Sequence, residues 1–284
     1  NTVSKLKLVG NYLYVADDAK HRIMKIDKKD GTILKEQKYY DESYIQGYVS
    51  SIGYGDNKVY VGYDNGRVQA FDENTLESLW ITDENKNAIN ADFVFTNGKL
   101  YFGTTAKTTD WYDNGAPFSY YVVTTSDEEK TMKKVVESKT GKFYSKKGVV
   151  LGKYIVISDT AGTLTMIDTT NDKVTDTKDI GEAFSGNITY DEMTGTIYFV
   201  AGTNDLYGIK VSADGKLKDE KKVRLYETGY SATTPEVYNG KVYVSGSKGK
   251  AFQDKGYMAV ADVSSDKYKV NYTVELSNYS QCEP

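Results

Sequence analysis

The chain has 284 residues, a net charge of −4, 39% hydrophobic and 27% charged residues, the balance of a folded protein rather than a disordered one. Its Lys and Asp/Glu are well mixed, with basic runs no longer than Lys28-Lys29 and Lys221-Lys222, which argues against nucleic acid or an anionic membrane as partner. One cysteine, Cys282, excludes an internal disulfide, and one histidine, His21, excludes multi-histidine zinc or iron sites.

From the N-terminus onward, a small turn followed by an alternating strand recurs six times. The copies are Gly10-Asn11-Tyr12-Leu13-Tyr14-Val15, Asn57-Lys58-Val59-Tyr60-Val61-Gly62, Gly98-Lys99-Leu100-Tyr101-Phe102-Gly103, Gly152-Lys153-Tyr154-Ile155-Val156, Gly195-Thr196-Ile197-Tyr198-Phe199 and Gly240-Lys241-Val242-Tyr243-Val244. Aligning Tyr14, Tyr60, Tyr101, Ile155, Tyr198 and Tyr243 gives a period within the length of one propeller blade. A second strand ending in Asp follows at 23–27, 68–72, 164–168 and 257–262, and a more polar third strand comes after it. Asp64-Asn65-Gly66 and Asp159-Thr160-Ala161-Gly162 supply the residues that tight hairpins need. No stretch sustains a 3.6-residue apolar period, so helix is expected to be scarce.

These features predict an all-β chain: one β-propeller domain of four-stranded blades with repeats at 1–42, 43–87, 88–140, 141–182, 183–227 and 228–277. Tyr279-Ser280 and Pro284 repeat the spacing of Tyr230-Ser231 and Pro235, so 278–284 reads as the first strand of a seventh blade. No apolar run reaches the roughly 18–20 residues of a membrane-spanning helix, so no membrane insertion is expected. The chain opens at Asn1 without a signal-peptide pattern, and any export signal is expected to have been removed.

The second repeat continues Tyr63-Asp64-Asn65-Gly66-Arg67-Val68-Gln69-Ala70-Phe71-Asp72-Glu73-Asn74-Thr75-Leu76-Glu77-Ser78-Leu79-Trp80. It resembles the quinoprotein-type (PQQ-like) propeller repeat, Val-Tyr-Val-Gly, a turn, then Ala-x-Asp-x-x-Thr-Gly-x-x-x-Trp. Ala70, Asp72, Thr75 and Trp80 match, and Leu76 replaces the family glycine. The whole chain is also similar in style to cell-surface proteins of Gram-positive gut bacteria that carry such propellers. The resemblance implies a propeller fold. Quinoprotein dehydrogenases add a quinone, calcium, an acidic base and a vicinal cysteine pair, and this chain lacks that pair. No cofactor, no metal and no catalytic residue are therefore expected. Asp72 and Thr75 are expected to satisfy turn amides, and Trp80 to fill the gap between blades.

Insertions carry the functional reading. The connections between second and third strands, and those to the next blade, open on one face. The third repeat inserts 104–119, with Trp111, Tyr112, Asp113, Asn114 and Phe118, and the sixth inserts 245–256. Blade-to-blade connections add Tyr39, Tyr40, Tyr44, Phe143, Tyr144 and Tyr230. Aromatics beside Asp and Asn on loops suit a glycan, a peptide or a protein, or else pack their own loops down. Asp83-Glu84-Asn85-Lys86-Asn87 lacks the glycine and closing Glu of a calcium loop and reads as a solvated connection. The expectation is a non-catalytic binding module of an exported bacterial surface protein, extracellular or on the cell surface, with flanking domains in the same polypeptide. An assembly scaffold resembling the outer-membrane assembly propeller is the alternative, and a degenerate quinoprotein-like enzyme the third.

Overall fold

Paired turn residues with positive φ cut the chain into short antiparallel strands. Asp56 and Asn57 (φ 53° and 55°), Asn97 and Gly98 (51° and 68°), and Asn239 and Gly240 (49° and 69°) have the backbone sense that matches strand twist in a two-residue hairpin. The computed structural model describes residues 3–40, 45, 52–107, 117–144, 146–183, 186–249 and 255–280. Among them no α-helix occurs, and the one helical turn is a 3-10 turn at Asp18–Lys20.

The fold is an all-β propeller of six four-stranded antiparallel blades, and the chain divides into two compact units, residues 1–148 and 149–284. Unit 1 begins with β1 (Lys7–Val9), β2 (Tyr12–Asp17), β3 (Arg22–Asp27) and β4 (Ile33–Lys38). Its second sheet is β5 (Gly53–Gly55), β6 (Lys58–Gly62), β7 (Val68–Asp72) and β8 (Ser78–Ile81). Its third is β9 (Val94–Thr96), β10 (Lys99–Gly103), β11 (Ser119–Thr124) and β12 (Lys133–Glu137). Unit 2 begins with β13 (Val149–Leu151), β14 (Tyr154–Ser158), β15 (Thr163–Asp168) and β16 (Lys173–Asp179). Next come β17 (Thr189–Asp191), β18 (Thr196–Ala201), β19 (Asp205–Val211) and β20 (Leu217–Arg224). The last sheet is β21 (Glu236–Tyr238), β22 (Lys241–Ser247), β23 (Gly256–Asp262) and β24 (Lys269–Glu275). In every sheet the strands pair in chain order.

Strand register corrects one alignment. The first residues of the second strands, Tyr12, Lys58, Lys99, Tyr154, Thr196 and Lys241, face the last residues of the first strands. Counting from there, Val156 rather than Ile155 stands where the other blades have Tyr14, Tyr60, Tyr101, Tyr198 and Tyr243. The Gly152-Lys153 turn takes both residues out of the strand, which a reading anchored on the glycine alone misses.

Side chains alternate across each sheet, and in the middle sheet of each unit both faces of the second and third strands are covered by the neighbouring sheets of that unit. In unit 1, Tyr14, Ala16 and Ile23 share a core with Val59, Val61 and Phe71. The opposite face of the second sheet, Tyr60, Val68 and Ala70, joins Leu100, Phe102 and Val123. In unit 2, Val156, Leu164 and Met166 join Ile197, Phe199 and Ile209, while Tyr198, Val200 and Leu206 join Val242, Val244 and Ala259. Each such side chain contributes about 1.5–3 kcal/mol by leaving water. Two-sided burial explains the continuous apolar runs of β6, β10 and β14. Of the fourth strands, β4 is exposed along its whole length.

The turn from third to fourth strand is held by the repeat aspartate. Asp72 Oδ1 accepts from the backbone N–H of Asn74 (2.8 Å) and Thr75 (2.9 Å) and from the Thr75 hydroxyl (3.3 Å). Asp168 accepts from Thr170 and Asp262 from Ser264 in the same way, through backbone and hydroxyl. These donors hold all three carboxyls below the usual carboxylate range. At the family glycine position Leu76 adopts φ 59°, and its side chain is fully buried. Trp80 lies against Tyr60 of its own sheet (5.7 Å between centroids), with the Lys130 ammonium of the next sheet 5.8 Å from its ring.

Candidate functional site

At the end of each fourth strand the chain is captured by the second hairpin, at or just before the start of the third strand. The backbone N–H groups of Tyr39, Thr82, Ser138, Ile180, Leu225 and Leu276 donate to the carbonyls of His21, Val68, Phe118, Gly162, Asn204 and Gly256. This bond, present in all six blades, brings each blade-to-blade connection to the end of its sheet that carries the second hairpin. In unit 1, Gly62 and Gly103 close the second strands, and a Cβ on either would collide with the carbonyl oxygen of Ile89 or Tyr144 in the connection passing over it.

Four of these connections in unit 1 build one exposed patch. Tyr40 follows β4 with 48% of its surface exposed, and its backbone N–H donates to Gln69 Oε1 at 2.9 Å. Gln69 is buried and also accepts from the Tyr63 hydroxyl at 2.5 Å, so the start of this connection is fixed to the second sheet. The Arg67 guanidinium lies 5.9 Å from the Tyr40 ring centroid and donates to the Thr82 carbonyl at 2.8 Å. Glu84 then bridges Arg67 (3.9 Å) and Lys107 (3.5 Å). An amphipathic ring beside a guanidinium, both positioned by buried partners, is a surface suited to a protein contact.

The aromatics read from sequence take other places. Trp111, Tyr112, Asp113 and Asn114 lie outside the described residues, as does Tyr44. Phe118 and Tyr144, expected on an open face, are buried at 1% and 2% exposure. Phe118 meets Phe143 edge-on at 4.7 Å, and Tyr144 meets Tyr120 at 5.9 Å, so both rings pack their own connections down. Tyr39 is likewise buried, edge-on to Tyr63. Tyr230 belongs to unit 2, where it is half-buried and exchanges backbone hydrogen bonds with Ser247 (3.2 and 2.9 Å). The structure therefore leaves Tyr40, among the described loop aromatics, as the half-exposed member of unit 1. Arg67 and Lys107 went unread, although Arg67 directly follows the Asp64-Asn65-Gly66 turn.

A second polar locus lies two residues ahead of the first strands. In unit 2, Asn187 and Thr234 hold this position and meet at 2.9 Å. In unit 1 the corresponding residues include Lys5 and Asp92, with Lys5 Nζ 3.4 Å from both carboxylate oxygens. Lys147 holds it ahead of β13, with Lys146 beside it. Burial and the neighbouring ammonium groups lower the pKa of Lys7 and Lys146, and Asp92 opposes both shifts.

Three other carboxylates are engaged by cations. Glu84 bridges cations, Asp205 pairs with Arg224 and Lys222, and Glu275 with Lys248 and Lys255. Among the described residues no three His, Cys, Asp or Glu side chains gather as metal ligands.

The profile of the family described as outer membrane protein assembly factor BamB matches residues 3–187. Solved structures similar to this chain include BamB from Moraxella catarrhalis, at a TM-score of 0.57 and 13% identity over 84% of this chain and 68% of that one. A europium-containing methanol dehydrogenase aligns at a TM-score of 0.70 and 11% identity over 98% of this chain and 69% of its own. The Cps50 (Swd1) β-propeller domain of Myceliophteria thermophila aligns at 0.62 and 10% identity over 99% and 89%. At these identities the likeness is one of fold. No curated protein sequence matches the chain.

Proposed function

The chain belongs to the family of the outer membrane protein assembly factor BamB, and from that premise we propose that it is a non-catalytic binding module that engages a protein partner through the loop-bearing end of unit 1. The observation that carries the proposal is the Tyr40–Arg67 pair, a half-exposed ring and a guanidinium held in place by Gln69 and Thr82. Tyr and Arg, with Trp, are enriched where interface energy concentrates; a Tyr ring buries a large area at the cost of two torsions, and the Arg67 guanidinium is already held by the Thr82 carbonyl. The assembly role printed for the BamB relative favours a protein over a glycan. Export to a bacterial cell surface is part of the same proposal, and the scarcity of cysteine is compatible with it.

The dehydrogenase neighbours raise the question of a quinone and a metal. The donor set does not fit them: Cys282 is the single cysteine, and the repeat aspartates Asp72, Asp168 and Asp262 are committed to turn amides. We derive no reaction from that likeness.

The test is affinity capture from the envelope fraction of the source organism, comparing the parent with Tyr40→Ala/Arg67→Ala and with Tyr238→Ala, which alters an exposed tyrosine in the first strand of another blade. The expected result is a defined partner lost with the first variant and kept with the second. A partner retained by both variants would place the interface elsewhere.

A further inference from the structure

We propose that the groove between the fifth and sixth sheets, both in unit 2, binds an acidic sugar, a pyranose that carries a carboxylate. Strand register makes the recess. Tyr198, Gly208 and Lys221 stand opposite one another across β18, β19 and β20, and a glycine in the middle of that row leaves room for a side chain from the next sheet. Tyr268, the last residue of the turn between β23 and β24, takes that room: a Cβ on Gly208 would lie 2.2 Å from the Tyr268 hydroxyl and 2.7 Å from its ring. Two residues along β19, Lys210 stands opposite Thr196. The same turn brings Asp266, whose carboxylate meets Lys221 Nζ at 2.6 Å. These side chains line a groove of about 330 Å³, the size of a small-ligand site.

The packing of two sheets does not require this opening. Tyr198 stands where the first sheet has Tyr14, whose hydroxyl closes directly on the backbone of the neighbouring turn at 2.8 Å. Tyr198 meets the Tyr268 ring instead, at 6.2 Å between centroids, and a groove remains beside that ring. Further along the same strands Val200, Leu206, Val242 and Ala259 close the core. The groove therefore has a fixed floor, with Tyr198 and Thr196 buried at 1% and 3% exposure.

The lining chemistry selects the ligand. A sugar presents apolar C–H faces beside hydroxyls that both donate and accept. The Tyr268 ring supplies apolar area and a polar tip, Asp266 accepts, and Lys210 and Lys221 donate. Among the described lining residues two are cations and one is an anion, which favours a ligand with a negative charge of its own. Lys221 Nζ lies 5.9 Å from the Tyr268 ring centroid, so a carboxylate held by this ammonium brings its sugar ring alongside the tyrosine. The Lys221–Asp266 pair does not lock the groove. The Asp266 side chain is fully exposed, and an exposed pair contributes little, so Lys221 can exchange that carboxylate for one on the ligand. The groove is independent of the Tyr40–Arg67 contact, which belongs to unit 1.

The test titrates the full chain with galacturonate, galactose and acetate at equal ionic strength, read by isothermal titration and by ligand-observed NMR. Galacturonate is expected to bind saturably, galactose about tenfold more weakly, and acetate not at all. Lys210→Gln/Lys221→Gln should weaken galacturonate binding by about tenfold or more, a loss of ~1.4 kcal/mol per tenfold. Its thermal midpoint should match that of the parent, which separates loss of the site from loss of the fold. Asp266→Asn removes the competing carboxylate from an exposed position and should tighten binding by about two- to fivefold. Tyr40→Ala/Arg67→Ala should leave sugar binding unchanged, so failure of the protein contact in unit 1 and failure of this site are told apart. An oligogalacturonate distinguishes sources: binding well above that of the monosaccharide assigns the groove to a sugar within a polymer, and equal binding assigns it to a free or terminal sugar. Absence of saturable galacturonate binding to the parent overturns the proposal, as does galactose bound as tightly as galacturonate, or equal binding by Lys210→Gln/Lys221→Gln.

Discussion

The hydroxyl of Tyr14 donates to the backbone carbonyl of Glu73 at 2.8 Å, joining the second strand of the first sheet to the β7–β8 turn of the second. The Glu73 carboxylate accepts from Tyr54 at 2.5 Å, and Lys25 reaches Asn74 of the same turn at 3.2 Å. A tyrosine in this strand thus fills a core with its ring and fixes the neighbouring turn with its hydroxyl. Tyr14→Phe keeps the ring and deletes the bond, so a loss of about 1 kcal/mol in urea unfolding is expected. An unchanged midpoint would show that the hydroxyl contributes nothing.

Leu76 sets two effects against each other. Glycine there would relieve a left-handed backbone that costs roughly 1–2 kcal/mol for an L-residue, yet it would empty a fully buried site, where truncating Leu costs about 2–5 kcal/mol. Burial wins in this balance, and Leu76→Gly is predicted to lower stability by about 1–3 kcal/mol. A gain in the urea midpoint would mean that strain dominates.

Gly103→Ala tests the close passage of the third connection. The added methyl meets the Tyr144 carbonyl, which cannot yield without moving the backbone that packs Tyr144 on Tyr120. A loss of about 1–3 kcal/mol is expected, together with faster hydrogen exchange at the Tyr144 amide, which donates to Thr104 at 3.2 Å. Unchanged exchange there would contradict the close packing.

Glu275 gives a pH signature. Its hydrogen bonds from Lys248 and Lys255 push its carboxyl down to about 2. With an unfolded value near ~4.3, its contribution is whole above that pH and is lost as the pH falls toward 2. Thermal midpoints measured from pH 7 down to 2.5 should fall, and Glu275→Gln should fall less steeply over the acid part of that range. Identical curves would remove Glu275 from the account.

Much of the scaffold was legible because strand alternation and turn chemistry are local. Asp72 and Thr75 declare their turn within four residues, and Tyr60 with Val59 and Val61 declares a strand covered on both faces. The exposure of Phe118 and Tyr144 was not legible, because an aromatic in a connection looks the same whether it faces solvent or another connection folded over it. The Lys5–Asp92 contact escaped for a related reason, since the two residues lie 87 positions apart in the chain. Val156 was misaligned because the turn, not the glycine, sets the register.

The central claim is that the Tyr40–Arg67 end of unit 1 meets a protein partner. The most direct measurement places a photo-crosslinking amino acid at Tyr40 and, separately, at Tyr238, and irradiates intact cells of the source organism. The account predicts a discrete adduct from position 40 and none from position 238. Adducts from position 238 alone, or none from either position, would contradict it.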